Sequence, residues 1–348
     1  MAAANPLKPR RFTLYWSTLS SYEDCGQQML WSRGWGNIDV GGGPGRRKPI
    51  PVEKSKHHAV MGIVLADFWE NLYNKEEWKH PDGLMDRLLE QARKTFDREL
   101  LSGFVDWRLS PTRDELWQTI EDGMRGYMRT MKHHKLLGPF ARSEVDLSTY
   151  LDKWTPIGGR ADLIFRREDT GITILDGKNS KRYKDPKTKK LFTHTDPDQL
   201  RWYALCFYLA YRKFPDRLGF VYFRYPYGNP VLDTDGQEVP AVDENGLPLG
   251  HSEIEQGVDW VPFTKDDLKG IATRAKDALR AMNREKFDAN PVPSKCKFCD
   301  YETVCPQRQA QKQANRRNKK TSEAFFDGMS GISTFGMGPA GSVVVPEE

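Results

Sequence analysis

Cysteine is scarce in this chain, with five among 348 residues, at Cys25, Cys206, Cys296, Cys299 and Cys305. The N terminus is basic and quickly aromatic (Lys8, Arg10, Arg11, Phe12, Tyr15, Trp16) and lacks the continuous apolar run of a secretory leader. We therefore expect reduced thiols in a cytoplasmic setting rather than a disulfide framework. Long hydrophobic runs are also missing, and no segment approaches the length of a membrane span. Gly41-Gly42-Gly43-Pro44-Gly45 is rich in glycine, yet it lacks a Gly-Lys-Ser/Thr ending and a preceding strand, which excludes a nucleotide-binding P-loop. Neither sign of charge dominates. The net charge of +5 tilts the chain modestly toward a polyanionic partner, a property shared by many proteins that bind none.

What is present concentrates between residues 144 and 203. Asp162 closes a Gly-Gly-Arg-Ala-Asp run that leads into the strand-like Leu163, Ile164 and Phe165. A turn from Glu168 to Gly171 separates it from a second strand, Ile172 to Leu175, which ends in Asp176-Gly177-Lys178. Pairing the two as a hairpin brings both carboxylates to one end of the ribbon, with Lys178 on the same face as Asp176. Carboxylate and carbonyl oxygens suit hard divalent cations, so Asp162, Asp176 and the Gly177 carbonyl form a candidate site for Mg2+ or Mn2+. Lys178 would orient a water or offset charge developing on a phosphate. The plainer reading is of two strand-end acids and a solvated lysine. Downstream, Gln199 and Tyr203 fall one helical turn apart, while Trp202, Leu205, Cys206 and Leu209 suit a buried side. Cys206 reads as a small core residue.

Helices are expected from His57 to about Asn74, from Leu84 to Leu101, from Asp114 to His134 and from Phe263 to Phe287, the last with a cap at Thr264 and Asp267. A shorter one is expected around Ser21 to Ser32, and a further strand from Leu218 to Tyr225. Lys181, Arg182, Lys184, Lys187, Lys189 and Lys190 follow directly on the proposed lysine as a local basic cluster. Cys296, Cys299 and Cys305 have a C-x2-C-x5-C spacing that one thiolate-binding centre could gather. Zinc and an iron-sulfur cluster both accept such ligands.

Glu144, then G-x-x-D ending at Asp162, then I-L-D-G-K, then Q-x-x-x-Y resembles the PD-(D/E)XK nuclease superfamily in its RecB-type branch, which includes AddB-like and CRISPR-associated spacer-acquisition nucleases. The resemblance implies a restriction-endonuclease-like α/β core, a small mixed sheet flanked by helices. It implies metal at Asp162 and Asp176, a catalytic Lys178, further catalytic roles for Glu144, Gln199 and Tyr203, and a DNA-facing position for the last two. Cys25 resembles the early cysteine of iron-sulfur members, where it joins three late cysteines around a 4Fe-4S cluster that closes the fold. A family histidine four residues after a glycine is replaced by Ala66 if Gly62 is that glycine, leaving Asp67 or Glu70 as substitutes, with His57 and His58 upstream. The expected layout is a loose terminus (1–12), a cluster-ligand and helical part (13–135), the nuclease core (136–226), an insertion (227–257), a helix and cysteine segment (258–306) and a basic, disordered tail (307–348). The implied activity is hydrolysis of DNA in recombination, end processing or repair, alone or with a helicase or recombination partner, in a phage or mobile-element setting. The alternative is an inactive iron-sulfur DNA-binding module.

Overall fold

The computed structural model describes residues 13–35, 57–100, 105, 111–138, 141–179, 183–184, 191–192, 196–223, 257–297 and 299–317. The chain divides into two compact units, residues 1–48 with 53–288, and residues 49–52 with 289–348. Most of the basic cluster that follows Lys178, the insertion over 227–256 and the tail from 318 onward lie outside the described residues.

The first unit opens with a short strand, β1 (Leu14–Tyr15), and two helices, α1 (Trp16–Asp24) and α2 (Gly26–Arg33). One helix was expected there; Cys25 adopts extended backbone angles, φ −165° and ψ 103°, and splits it. Helix α3 (His57–Trp69) continues into a π turn, Glu70–Asn74. Next come α4 (Leu84–Leu100) and α5 (Arg113–His133). Thr112 and Glu115 start α5 by a reciprocal capping box, which satisfies two of the N–H groups left over at a helix start.

The strands then follow closely: β2 (Ala141–Asp146), β3 (Thr149–Asp152), β4 (Thr155–Gly158), β5 (Arg160–Arg167) and β6 (Gly171–Lys178). Two short strands, β7 (Tyr183–Lys184) and β8 (Leu191–Phe192), pair with each other. Helix α6 (Asp198–Tyr211) leads to β9 (Arg217–Tyr222), β10 (Val258–Trp260) and α7 (Lys265–Met282). The main sheet has the order β10-β9-β6-β5-β2, and β6 with β9 is its parallel pair. Parallel neighbours need a crossover, which α6 supplies. A second sheet has the order β1-β4-β3.

Each face of the main sheet carries its own core. Ile174, Leu218, Phe220 and Tyr222 pack with residues of α1, α6 and α7, whereas Leu163, Phe165, Leu175 and Val221 pack with α3, α4 and α5. The alternation along β9 assigns successive side chains to opposite cores, as the period of two requires. Covered on both faces, β6 buries every side chain from Thr173 to Asp176. Among the described residues no helix is long and apolar enough to cross a membrane.

The second unit contains α8 (Pro293–Cys296) and a helix over 306–317, here α9. The start of the expected disordered tail is therefore helical. Arg308 donates to Gln311 one turn on at 2.6 Å, and both Arg308, at 3.2 Å, and Lys312, at 3.1 Å, reach back to Glu302 in the turn before the helix.

Candidate active site

Sheet register sets out the acids. Leu163 lies opposite Leu175, so one step further Asp162 faces Asp176; Ser143 lies opposite Leu163 and Val145 opposite Ala161, which sets Glu144 across from Asp162. Three carboxylate-bearing positions thus form a row across β2, β5 and β6. The Gly177 N–H donates to Asp162 Oδ2 at 2.8 Å. Glycine is required there by close packing: a Cβ would lie 2.9 Å from Trp69 Cη2 and 3.1 Å from Phe223 Cε2.

Lys178 points back onto the second acid, its Nζ 2.5 Å from Asp176 Oδ2. The same ammonium donates to Gln199 Oε1 at 2.8 Å. Gln199 Nε2 in turn donates to Asp176 Oδ1 at 2.7 Å and to the Tyr203 hydroxyl at 3.1 Å. Gln199 and Tyr203 reach one point because they sit one turn apart on α6, which packs on the face that carries Asp176. Tyr203 is 8% exposed, its ring close against Gly159. It therefore supports Gln199 and the acids from within the fold.

A cavity of about 330 Å³ opens beside this network, lined by Gly62, Leu65, Ala66 and Trp69 of α3 and by Glu144, Asp162, Gly177, Lys178, Asn179 and Phe223. Burial, and then the adjacent Asp176 charge, hold the Asp162 carboxyl well above the usual carboxylate range. Burial also raises Asp176, against the pull of Lys178. Asp176 is 1% exposed, and its Oδ2 meets the lysine as an ion pair without receiving an aligned hydrogen bond. Two adjoining buried carboxylates that burial holds against ionisation suit a divalent cation, whose charge would favour their ionised forms. Glu144 lines the cavity in a left-handed backbone conformation, φ 54°, with Arg160 at 3.4 Å from its carboxylate.

Ala66 does line the cavity, where the family pattern has histidine. Neither expected substitute does: Asp67 accepts from Thr95 Oγ1 at 2.7 Å toward α4, and Glu70 is exposed. His57 and His58 begin α3, with their ring centres 3.9 Å apart and their planes tilted by 45°. Cys206 is fully buried. Cys25 is in the first unit, and Cys296, Cys299 and Cys305 are in the second, all half-buried. Among the described residues no group of three or more His, Cys, Asp or Glu side chains is gathered as for a metal, so the geometry gives the expected 4Fe-4S cluster no support.

Two site residues escaped the sequence reading. Asn179 lines the cavity and donates to the His58 carbonyl at 3.0 Å, tying the end of β6 to the start of α3; its place beside Lys178 was the available signal. Asn74 donates to the Ser143 carbonyl at 3.1 Å and accepts from the Ser143 N–H at 3.1 Å, clamping β2 next to Glu144. No sequence signal links those two positions.

Among solved structures the chain is similar to one described as "Crystal structure of SSO0001", at 16% identity and a TM-score of 0.30, over 72% of this chain and 97% of that one. No curated protein matches it. The family profile of the PD-(D/E)XK nuclease superfamily matches residues 17–306. A match over most of the sequence, embracing both acids, the lysine and the glutamine-tyrosine pair, shows that the chain belongs to the PD-(D/E)XK nuclease superfamily.

Proposed function

We propose that this protein is a metal-dependent deoxyribonuclease that hydrolyses phosphodiester bonds, acting as an exonuclease in recombination, end processing or repair. One observation carries the reading: Asp162 and Asp176 adjoin at the end of the β5–β6 hairpin, with Lys178 held over the second acid beside an open cavity. Mg2+ or Mn2+ bound by the two carboxylates and the Gly177 carbonyl would supply Lewis-acid polarisation of a phosphate oxygen. Lys178 reaches the same cavity with a charged donor able to orient a water or to stabilise charge on the phosphate. Gln199 fixes both partners at once, accepting from Lys178 and donating to Asp176, so that neither side chain swings on its own. Burial of Tyr203 beneath Gln199 keeps that amide in place.

The finer parts of the proposal rest on the resemblance: a RecB-type enzyme of the cytoplasm, phage or mobile-element encoded, working with a helicase or recombination partner. The 4Fe-4S cluster is likewise what the resemblance implies for Cys25, Cys296, Cys299 and Cys305, since the C-x2-C-x5-C spacing by itself suits zinc as well. A non-catalytic DNA-binding module is the second reading, favoured by Ala66 on the cavity wall in place of a ligand.

Cleavage of labelled single-stranded and duplex DNA with Mg2+ or Mn2+ separates the two. Wild type should cut, and Asp162→Asn, Asp176→Asn and Lys178→Ala should each lose at least about a hundredfold in rate, a scale typical of losing a transition-state stabilising group. DNA binding without cleavage by the wild type, unchanged in Lys178→Ala, would select the module instead.

A further inference from the structure

Of the two acids that line the cavity, Asp162 and Glu144, only Glu144 has a left-handed backbone, φ 54°. A residue with a Cβ adopts that conformation at a cost, and keeps it only where the surrounding structure holds it. Glu144 stands in the middle of β2, between Ser143, which pairs with Leu163, and Val145, which pairs with Ala161. The kink is therefore confined to one residue with regular pairing on either side. It also means that the direction of this side chain is set by its own φ and not by the alternation of the strand.

Asn74 supplies the hold. Strand β2 is an edge of the main sheet, so the outward N–H and carbonyl of Ser143 meet no further strand. Asn74 takes both, its Nδ2 donating to the carbonyl and its Oδ1 accepting from the N–H, each at 3.1 Å. The carboxamide thus replaces one residue of a neighbouring strand. It is delivered by the π turn that follows α3, which the Lys75 N–H closes on the Glu70 carbonyl at 3.1 Å. Turns of this kind are frequent at functional sites. Asn71, Leu72 and Tyr73 of the turn are buried, and the Tyr73 hydroxyl meets that of Tyr127 at 2.9 Å, so Asn74 extends from an anchored base. The Glu144 carboxylate is tied far less firmly. Arg160 Nη1 lies 3.4 Å from it, and that arginine side chain is 72% exposed. The aim of the acid rests on the backbone beneath it.

We propose that Asn74 is a positioning residue of the nuclease site: by clamping Ser143 it keeps Glu144 left-handed, and so keeps the Glu144 carboxylate in the cavity, where it accepts a hydrogen bond from the water that attacks the phosphate. The inference rests on the nuclease reading and adds to it a residue outside the cavity. Water is the partner that the geometry favours for Glu144. Among the described residues no group of three acidic, histidine or cysteine side chains is gathered closely enough to hold a metal directly, yet Glu144 lines the same cavity as Asp162 and Lys178. A carboxylate that orients a water aligns its lone pair with the phosphorus before reaction, and alignment lowers the barrier.

The test uses the full chain and three readouts: melting temperature in EDTA, hydrogen–deuterium exchange at the Ser143 amide, and steady-state cleavage of labelled DNA with Mg2+. Glu144→Gly and Glu144→Ala both remove the carboxylate, but only glycine accepts the left-handed φ without strain. The glycine variant should therefore melt roughly 2 °C or more above the alanine variant. Asn74→Ala should speed exchange of the Ser143 amide roughly tenfold. At a temperature where both proteins are folded, it should also lower kcat about tenfold with little change in KM. Glu144→Gln retains Asp162, Asp176 and Lys178, so its slower cleavage should stay measurable. Adding Asn74→Ala to it should cost no further rate, because the clamp acts through a carboxylate already gone. Equal melting of the glycine and alanine variants, an undiminished kcat in Asn74→Ala, or the same loss in the Glu144→Gln background would each overturn the positioning role while leaving the nuclease reading intact. A wild type that cleaves no DNA sinks the nuclease reading, and the positioning role falls with it.

Discussion

At Asp162, burial and the neighbouring charge of Asp176 both favour the protonated carboxyl, so the folded protein keeps that proton to a higher pH than the unfolded chain does. Below the unfolded value, about 3.9, both states are protonated and the site exacts nothing. As pH rises from there to the raised folded value, the unfolded chain ionises first and stability falls; above the folded value the loss is complete. Asp176 acts in the same direction. Asp162→Asn removes the charge and keeps an acceptor for the Gly177 N–H. In EDTA, therefore, its melting temperature should exceed that of wild type at pH 8 by roughly 2 °C or more, with the gap closing at pH 4. Added Mn2+ should stabilise only the wild type and erase the gap. Equal melting temperatures at pH 8 in EDTA would show that the carboxyl carries no such burden. The acids and Lys178 were legible in the sequence because a hairpin fixes their relation by counting. Asn74 was not, since its clamp on Ser143 joins residues 69 apart, and only tertiary packing brings them together.

Among elements, the long helices α3, α4, α5 and α7 could be read from the periodic recurrence of their apolar residues, and the β5–β6 hairpin from two apolar stretches joined by a short turn. Gly171 marks the hairpin turn through its left-handed φ of 68°, and a capping box marks the start of α7 at Thr264. Strands β3 and β4 escaped notice because four residues apiece present too few inward side chains to show an alternation. The seam between β6 and α3 is where elements and site meet. Gly177→Ala would place a methyl 2.9 Å from Trp69 Cη2, forcing α3 outward or twisting Trp69 off its rotamer. We expect a loss of about 1–3 kcal/mol in urea denaturation, together with weaker metal binding by calorimetry as the cavity wall shifts. Trp69→Phe should be harmful alone yet partly relieve Gly177→Ala, because the smaller ring vacates the space that the methyl needs. Strictly additive losses in the double variant would place the strain elsewhere.

On the scale of the whole molecule, the chain divides its thiols between the two units, Cys25 and the buried Cys206 in the first and Cys296, Cys299 and Cys305 in the second. The spacing of the last three was plain in the sequence, but spacing leaves open which metal they take and whether a fourth ligand comes from far away. Backbone bonds explain part of the pattern: Cys299 N–H donates to the Cys296 carbonyl at 3.0 Å and Cys305 N–H to the Tyr301 carbonyl at 3.0 Å, so short turns keep the late cysteines together in the chain. If the four thiolates share one 4Fe-4S cluster, protein purified without oxygen should be brown and carry about four irons per chain. Iron loss should then be reciprocal. Cys25→Ser and Cys299→Ser should each bleach the protein and lower its melting temperature to a similar extent, despite the long stretch of sequence between them, because a cluster stripped of either ligand releases the same loop closure. Cys206→Ser should keep the iron, since that side chain is buried in the core and has no part in the set. Colourless protein with one zinc per chain, insensitive to Cys25→Ser, would assign the late cysteines to a zinc site and return Cys25 to the role that its backbone already performs, the break between α1 and α2.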